Sequence, residues 1–287
     1  WEELHIAAGM RCPIVMANAN RALSAPINIH GDHSDIMGAR DTGWAMMFAE
    51  TAQEAYDNTI VAFKVAEDPN VLLPVLTTLD GFVTTHAMDN CVMEDDQVVK
   101  DYVGDYQPLY PLLDTENPVG HGMFATLGNG YMKYKLTERH ALDNALKAFE
   151  KHGKEWADIT GRPFDVVDTW GTEDADYLIV VLGSCAGNAR HQARLLRAEG
   201  KKVGVVRPRI FRPFPAKQLV EACKNAKAVA VIDRSDSFGS PHAPLALEVR
   251  AAFQSAGLQI PVSDYLAGLG GADITLDQMG QVFAELE

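Results

Sequence analysis

Apolar runs alternate with amphipathic segments in the first third of the chain, as they do in α/β domains. Runs at 13–17 and 43–49 predict buried strands, and a run at 71–79 predicts a strand that Pro74 places at a sheet edge or a bulge. Between the last two runs, apolar residues recur three and four positions apart and predict a helix over 51–67. This part of the chain is therefore expected to hold strands covered by a helix.

The last third of the chain shows the same alternation more regularly. Its apolar runs and amphipathic segments predict strands at 177–182, 202–207, 228–233 and 260–263 and helices at 184–199, 216–225 and 242–256. Continuous apolar strands that alternate with helices imply a parallel sheet with helices on both faces. We therefore expect an α/β fold with two mainly parallel sheets.

The middle of the chain, from 88 to 130, has a different character. Runs of Asp and Glu, prolines and several glycines leave few regular elements, so an extended surface connection is expected. A Lys- and Glu-rich helix around 136–157 follows it. The resulting division is 1–110, 111–170 and 171–287, with the middle range as the connection and its helix.

Charge and cysteine spacing narrow the possible functions. A net charge of −14 disfavours nucleic acid as a ligand, because such binding depends on Lys and Arg at the phosphates. No apolar run approaches the roughly 20 residues of a membrane span and no signal peptide is recognisable, so a cytoplasmic protein is expected. The four cysteines form no C-x-x-C pair, so neither an iron–sulfur cluster nor structural zinc is expected here. Because the chain starts with Trp1, inside an apparent helix, an N-terminal truncation is also expected.

The densest polar stretch follows the first predicted strand, where open α/β sheets place their ligands. Its candidate site residues are Asn20, Arg21, His30, Asp32, His33 and Asp35. Arg21 is followed by mostly apolar residues, so it either projects into a partly buried anion site or is a solvated surface charge. The spacing H-x-D-H-x-D is not a known zinc pattern, which favours a loop held by its own Asp side chains over a metal site.

Longer motifs resemble the alpha subunits of pyruvate:ferredoxin oxidoreductases. The first half carries ANRALSAPINIHGDHSDIMGARDTGW at 19–44 and LDGFVTTH at 79–86. The second half carries, in family order, VVLGSCAGNAR, VVRPRIFRPFP, VIDRSDSFGSPHAPLALEVRAAF and YLAGLGGADIT. The resemblance extends over most of the chain, and several long motifs in order are far more specific than any single short pattern.

This resemblance implies a fold and a reaction. The first region would be the pyrimidine-side half of a thiamine-diphosphate site, and the second a transketolase C-terminal-like domain. Such enzymes decarboxylate pyruvate, pass electrons to ferredoxin and transfer the acyl group to coenzyme A, or run the reverse reaction. Arg21 would bind the substrate carboxylate with Asn20 beside it. The cofactor-binding candidates in the same loop are His30, Asp32, His33 and Asp35.

The resemblance also implies that other chains or regions complete the site. Mg²⁺ and [4Fe-4S] clusters are expected on partner subunits of the beta, gamma and delta type, and the glutamate for the aminopyrimidine is expected upstream of Trp1. Alternatives remain open at this point. The substrate could be 2-oxoisovalerate, 2-oxoglutarate or oxalate, or the chain could be a non-catalytic assembly subunit. The RALSAPINI and GDHSD segments do not suggest a transketolase-type enzyme.

Two further groups of residues have an ordinary structural interpretation beside a functional one. Gly183, Ser184 and Gly187 open a helix, and a tight turn without ligand is favoured over a phosphate site. Arg207, Arg209 and Arg212 form a basic cluster between prolines. We expect this cluster to lie on the surface, where it could contact a partner chain or coenzyme A.

Overall fold

A computed structural model describes residues 1–122, 124–125, 127–128 and 130–287. Its strands are β1 (Val15–Asn20), β2 (Ala45–Phe48), β3 (Val75–Asp80), β4 (Val167–Trp170), β5 (Tyr177–Val181), β6 (Val203–Pro208), β7 (Ile210–Arg212), β8 (Ala228–Asp233) and β9 (Val262–Leu266). Its helices are α1 (Glu2–Gly9), α2 (Ser34–Met37), α3 (Ala52–Ala66), α4 (Asp96–Val103), α5 (Gly130–Thr160), α6 (Cys185–Ala198), α7 (Ala216–Cys223), α8 (Pro244–Ser255) and α9 (Leu276–Glu285).

The first sheet has the strand order β1-β3-β2-β7. Strands β1, β3 and β2 run parallel, and β7 pairs antiparallel with β2. The edge position predicted for the third strand is wrong, because β3 lies between β1 and β2. Pro74 does not prevent this central position, because it precedes Val75, the first paired residue of β3. Its carbonyl still accepts a hydrogen bond from the Ala45 N–H of β2. The burial predicted for the first strand is also wrong, since β1 is an edge strand with several exposed side chains.

The second sheet has the order β4-β6-β5-β8-β9, parallel except for β4 at one edge. Alternate residues of β5 face opposite helix layers. Leu178 and Val180 pack with α7 and α8, while Ile179 and Val181 pack with α6 and α9. The expected α/β fold, with mainly parallel sheets and helices on both faces, is therefore confirmed. Sequence reasoning did not find the antiparallel strands β4 and β7.

The connection between the sheets holds more helix than expected. Asp95 accepts a hydrogen bond from the Gln97 N–H and begins α4, which lies inside the segment expected to be extended. Helix α5 is longer than the predicted 136–157. Positions 123, 126 and 129 of the predicted connection lie outside the described residues. The division into 1–110, 111–170 and 171–287 stays a prediction, and β7 returns from the last of these ranges to the first sheet.

No helix in the described part of the chain combines the length and the apolar character required to cross a bilayer.

Candidate active site

The carboxyl ends of β1 and β3 bring the polar segments of the sequence together. Asn20 lies beside Asp80 in the parallel register, so both strands end at the same edge of the first sheet. The segment 20–35, here called the site loop, leaves β1 at this edge and ends in α2. The loop therefore occupies the position where parallel sheets hold their ligands.

Asp35 fixes the start of the site loop. Its carboxylate accepts hydrogen bonds from Asn18 Nδ2 at 3.1 Å, Asn20 Nδ2 at 2.9 Å and the Arg21 backbone N–H at 3.0 Å. Asn20 is fully buried, and its amide oxygen also accepts a bond from the Thr78 hydroxyl. The Asn20 amide is thus held by protein groups on both sides, and its part in substrate binding stays a prediction.

The Arg21 side chain lies at the surface of the loop rather than in a partly buried site, the second of the two arrangements that the sequence allows. Its Nε donates to the Ala22 carbonyl at 3.0 Å, and Nη2 donates to the Asn28 carbonyl at 3.1 Å. No hydrogen bond of Nη1 to another described residue is found. The guanidinium therefore rests on its own loop with one donor edge available to an anion.

Among the cofactor-binding candidates of the loop, some are buried and one, His30, is exposed. Asp32 and His33 are buried, and both carboxylate oxygens of Asp32 are used, by Ser34 N–H at 2.9 Å and Gly270 N–H at 2.9 Å. His33 Nε2 lies 2.7 Å from Asp80 Oδ1. Together with Asp35, these side chains hold the loop in shape, in agreement with the interpretation of a self-bonded loop. Their part in cofactor binding stays a prediction.

His30 is the exposed candidate of the loop. Its ring packs on Phe82 with centroids 4.6 Å apart, and Phe82 stacks on His86 at 4.2 Å with an interplanar angle of 1°. Phe82 has a φ of +63°, a conformation that aromatic residues seldom adopt. A partly exposed aromatic surface consequently lies next to the loop that carries Arg21.

Asp80 is the centre of a buried polar group that links the two sheets, here called the loop junction. Asp80, at 1% exposed, contacts His33, Arg234 Nη1 at 3.1 Å and the Ser184 N–H at 2.8 Å. The Ser184 hydroxyl donates to the same carboxylate. Burial alone would raise the pKa of Asp80, but His33 and Arg234 outweigh it and hold this pKa well below its usual range. The junction thus contains an ionised carboxylate at the base of the site.

The glycine-rich turns of both halves allow very close approach at this junction. A Cβ on Gly31 would lie 2.3 Å from the Gly81 carbonyl oxygen, and one on Gly271 would lie 2.3 Å from His30 Cβ. Ser184 donates both its N–H and its hydroxyl to Asp80, and its side chain makes no capping bond to α6, so a protein carboxylate occupies the place of an anion at that helix start. This geometry agrees with the ligand-free interpretation of the Gly183–Gly187 turn.

A second polar group, here called the helix junction, joins the start of α3 to β4, β6 and α6. It consists of Glu50, Glu54, Asp168, Arg190, Arg207 and Arg209. Arg207 is 1% exposed and binds Glu54 through two bonds of 2.8 Å each. The expectation of a surface basic cluster is therefore wrong, because Arg207 and Arg209 are buried and pair with partly buried carboxylates, and Arg212 pairs with Glu248 at 2.6 Å.

The cysteines show no sign of metal ligation in the described part of the chain. Cys185 and Cys223 are buried, and burial raises the pKa of each thiol to about 12. No group of three or more His, Cys, Asp or Glu arranged for a metal ion occurs among the described residues.

Sequence reasoning found the site loop but missed its partners. Asp80, Ser184 and Arg234 each lie at or just after the carboxyl end of a strand. This position was the available signal, since parallel strands gather such residues at one edge. The fact that they come from different sheets and meet each other was not readable from the pattern.

Two family models match this sequence. The model described as pyruvate flavodoxin/ferredoxin oxidoreductase, thiamine diP-bdg, matches residues 1–154. The model described as pyruvate:ferredoxin oxidoreductase core domain II matches residues 175–279. Together they cover both sheets except for β4, and the first confirms the prediction of a thiamine-diphosphate-binding domain.

Curated relatives extend over nearly the whole chain. Pyruvate synthase subunit PorA of Thermotoga maritima is 43% identical over 284 residues, which are 99% of this chain and 72% of the relative. Ketoisovalerate oxidoreductase subunit VorA of Pyrococcus horikoshii is 37% identical over 288 residues, 100% of this chain and 72% of the relative. A solved structure of the 2-oxoglutarate:ferredoxin oxidoreductase from Magnetococcus marinus has the same fold, with a TM-score of 0.69 at 17% identity over 99% of this chain and 50% of that one.

Proposed function

Because this chain belongs to the pyruvate:ferredoxin oxidoreductase family, we propose that it is the alpha subunit of a pyruvate-specific member and that Arg21 binds the substrate carboxylate. The enzyme is a 2-oxoacid:ferredoxin oxidoreductase that forms acetyl-coenzyme A and carbon dioxide from pyruvate, or runs in reverse. The observation that carries the role of Arg21 is an exposed guanidinium at the carboxyl edge of the thiamine-diphosphate-binding domain, on a loop fixed at both ends.

The surface around Arg21 fits one side of a thiamine-diphosphate site. Leu23, Ile27 and Phe82 expose 58%, 81% and 37% of their surface, and apolar groups of this kind bury an aromatic ring readily. Bound thiamine diphosphate supplies the nucleophilic carbon on which a 2-oxoacid is decarboxylated. Leu23, Ile27, Phe82 and His30 would hold the cofactor on this side, while Mg²⁺ and the [4Fe-4S] clusters are proposed to lie on partner chains.

The task of Arg21 is to bind and orient. A guanidinium–carboxylate pair fixes the plane of the carboxylate and thereby aims the neighbouring carbonyl carbon at the reacting centre. The carboxylate loses its charge as carbon dioxide leaves, so the pair stabilises the bound substrate at least as well as the transition state. Removing it should therefore raise KM more than it lowers kcat.

Partner chains are part of this proposal. The relatives are named as subunits, which supports an assembly with beta-, gamma- and delta-type chains and ferredoxin as the electron acceptor. A cytoplasmic location also stays a prediction. A second substrate deserves a direct test because relatives named as ketoisovalerate oxidoreductase subunits reach 37% identity.

The proposal is tested with the enzyme reconstituted from this chain in its full-length form, its partner subunits, thiamine diphosphate and coenzyme A. Reduction of ferredoxin or viologen is measured with pyruvate, 2-oxoisovalerate, 2-oxoglutarate and oxalate. Arg21→Ala should lower kcat/KM for pyruvate by about a hundredfold, mostly through KM, because a charge-assisted pair is lost. Arg21→Lys should fall between wild type and Arg21→Ala.

Arg139→Ala is the matched control, because Arg139 is an exposed arginine of α5 that pairs with Asp143 instead of touching the site loop. It should behave like wild type. Wild-type-like activity of Arg21→Ala contradicts the proposed anchor. Preference for 2-oxoisovalerate moves the substrate assignment to the second candidate, and inactivity with every 2-oxoacid supports the non-catalytic assembly subunit.

A further inference from the structure

We propose that Asp80 and Arg234 form a positioning pair, through which the second sheet sets the geometry of the site loop and hence the aim of Arg21. This inference rests on the proposed function, in which Arg21 is the substrate anchor. It assigns a role in the reaction to two residues that do not themselves reach the surface of the site.

Arg234 makes its shorter polar contacts with the first half of the molecule, while Nη2 also donates to the Gly268 carbonyl of the second half at 3.4 Å. Nη1 lies 3.1 Å from Asp80 Oδ2, and Nη2 donates to the Gly31 carbonyl at 2.8 Å. The Arg234 backbone carbonyl accepts a bond of 2.8 Å from the His33 N–H. A single residue at the end of β8 therefore binds both β3 and two points of the site loop.

Two short connections lead from the second half of the chain to Arg21. In one, Arg234 holds Gly31, and the neighbouring His30 carbonyl accepts a bond of 2.8 Å from the Ala22 N–H, next to Arg21. In the other, the Gly270 carbonyl accepts from Asn28 Nδ2 at 3.0 Å, and the Asn28 carbonyl accepts from Arg21 Nη2 at 3.1 Å. The guanidinium of Arg21 is thus only a few bonds from the second half.

Burial makes the pair a rigid reference point. Asp80, His33 and Arg234 are 1%, 2% and 3% exposed, so no solvent is available to replace a lost partner. A buried charge whose partner is removed must move or find another, and here His33 and the Gly31 carbonyl of the site loop are among its nearest polar groups. Misplacement of a binding group by about 1 Å is enough to lower kcat/KM substantially.

The helix junction supplies a matched control. It is also buried and joins the same two halves, but the hydrogen bonds of Glu54 go to Arg207, Arg209 and its own helix start. None of the described contacts of Glu54 reaches the site loop. A variant there weakens the join between the halves without touching the loop, and so separates positioning from stability.

The experiment uses the reconstituted enzyme with partner subunits and compares Asp80→Asn, Arg234→Lys, Glu54→Gln and Arg21→Ala. We measure kcat and KM for the preferred 2-oxoacid, and amide hydrogen exchange of residues 21–35 and 52–66. Asp80→Asn should raise KM about tenfold or more while kcat changes by less than about threefold, because Arg21 loses its aim but not its charge. Arg234→Lys keeps the charge and should show a smaller rise in KM.

Hydrogen exchange provides the readout that does not depend on turnover. Exchange should become faster in 21–35 but not in 52–66 for Asp80→Asn, and the reverse pattern is expected for Glu54→Gln, with KM near wild type. If Asp80→Asn and Glu54→Gln have the same KM and the same exchange pattern, the positioning pair is overturned. Should Asp80→Asn fail to fold, Arg234→Lys takes its place in the comparison with Glu54→Gln, and an unchanged KM in that variant overturns the proposal instead.

The two proposals fail in different ways. If Arg21→Ala loses activity while Asp80→Asn behaves like Glu54→Gln, the anchor stands and the positioning pair is wrong. A wild-type-like Arg21→Ala overturns the anchor and the positioning role together.

Discussion

The loop junction and the helix junction join the same two sheets with opposite designs. The helix junction balances three arginines against three carboxylates, and every charge except Arg209 has more than one opposite neighbour. The loop junction concentrates its contacts on the carboxylate of Asp80, which Arg234, His33 and Ser184 share. The first spreads charge over a broad interface, whereas the second orients one segment.

Residues that affect substrate binding and residues that affect only stability are therefore expected in different junctions. A network of several ion pairs joins the two halves firmly. Because each carboxylate has a second partner, a small displacement of one group changes the arrangement of the others little. A single carboxylate with directed partners has one low-energy arrangement, and the loop that supplies one of those partners inherits its position. We therefore expect the two junctions to respond to substitution in different observables.

The largest effect on stability is expected from Arg207→Met in the helix junction. Loss of this guanidinium leaves three carboxylates with two arginines, and Glu54 and Asp168 lose a buried partner. The free energy of unfolding should fall by about 3–5 kcal/mol, the usual consequence of breaking a buried ion pair. Urea denaturation of the purified chain measures it.

The same variant tests whether the helix junction also affects substrate binding. Its KM for the preferred 2-oxoacid, measured in the assembled enzyme well below the unfolding transition, should stay near that of wild type. A rise in KM as large as that of Asp80→Asn would show that both junctions act on the site loop, and the distinction drawn between them would be wrong.

Asp233 is a buried carboxylate at the same strand end as Arg234, but it meets helix N–H groups instead of a guanidinium. It accepts bonds of 3.0 Å each from the Leu245 and Ala246 N–H groups of α8. Burial raises the pKa of Asp233 to about 6, although these two bonds act in the opposite direction. The pKa of Asp80 lies below its usual range instead, because His33 and then Arg234 outweigh its burial.

The two carboxylates consequently predict opposite pH effects on folding. The folded protein takes up a proton at Asp233 more readily than the unfolded chain, so stability should fall as pH rises from about 4 to about 6, by an amount on the order of 3 kcal/mol. Asp80 contributes stability that is present above about pH 4 and is lost as pH falls further. Urea denaturation of wild type and Asp233→Asn between pH 4 and pH 8 tests the first effect. An equal slope in both proteins between pH 4 and pH 6 would contradict it.

Whether an element of the fold can be predicted from the sequence depends on how far along the chain its pairing partners lie. The parallel strand β5 was predicted over 177–182 and observed over Tyr177–Val181, because a strand buried on both faces is a continuous apolar run. The antiparallel strands β4 and β7 have four and three residues, and their pairing partners lie far away in the chain. Such short strands carry no periodicity of their own, so only the folded structure shows them.

The candidate site follows the same rule. The site loop was predicted because a polar stretch after an apolar strand marks the carboxyl edge of a sheet. The burial of Arg207 was missed because its partner Glu54 is 153 residues away, and local sequence contains no information about that distance. The sequence allows either a partly buried or an exposed Arg21; in the structure it is exposed, and its guanidinium rests on the carbonyls of its own loop.

The smallest effect on stability, and the finest test of the comparison, concerns Gly271 at the edge of the loop junction. Gly271 has a φ of +77°, and a Cβ there would lie 2.3 Å from His30 Cβ, so Gly271→Ala must displace the site loop. Gly257→Ala is the matched control, since Gly257 has a φ of +69° and no heavy atom within 4 Å of its Cβ position.

Both variants should lose about 1–2 kcal/mol of unfolding free energy from the left-handed backbone alone. Only Gly271→Ala should also raise KM, by about threefold to tenfold, because only there is the loop pushed. Steady-state kinetics and urea denaturation of the two variants side by side decide the matter: an unchanged KM in Gly271→Ala would mean that the loop absorbs the displacement before it reaches Arg21, and that contact with the second half does not set the aim of the anchor.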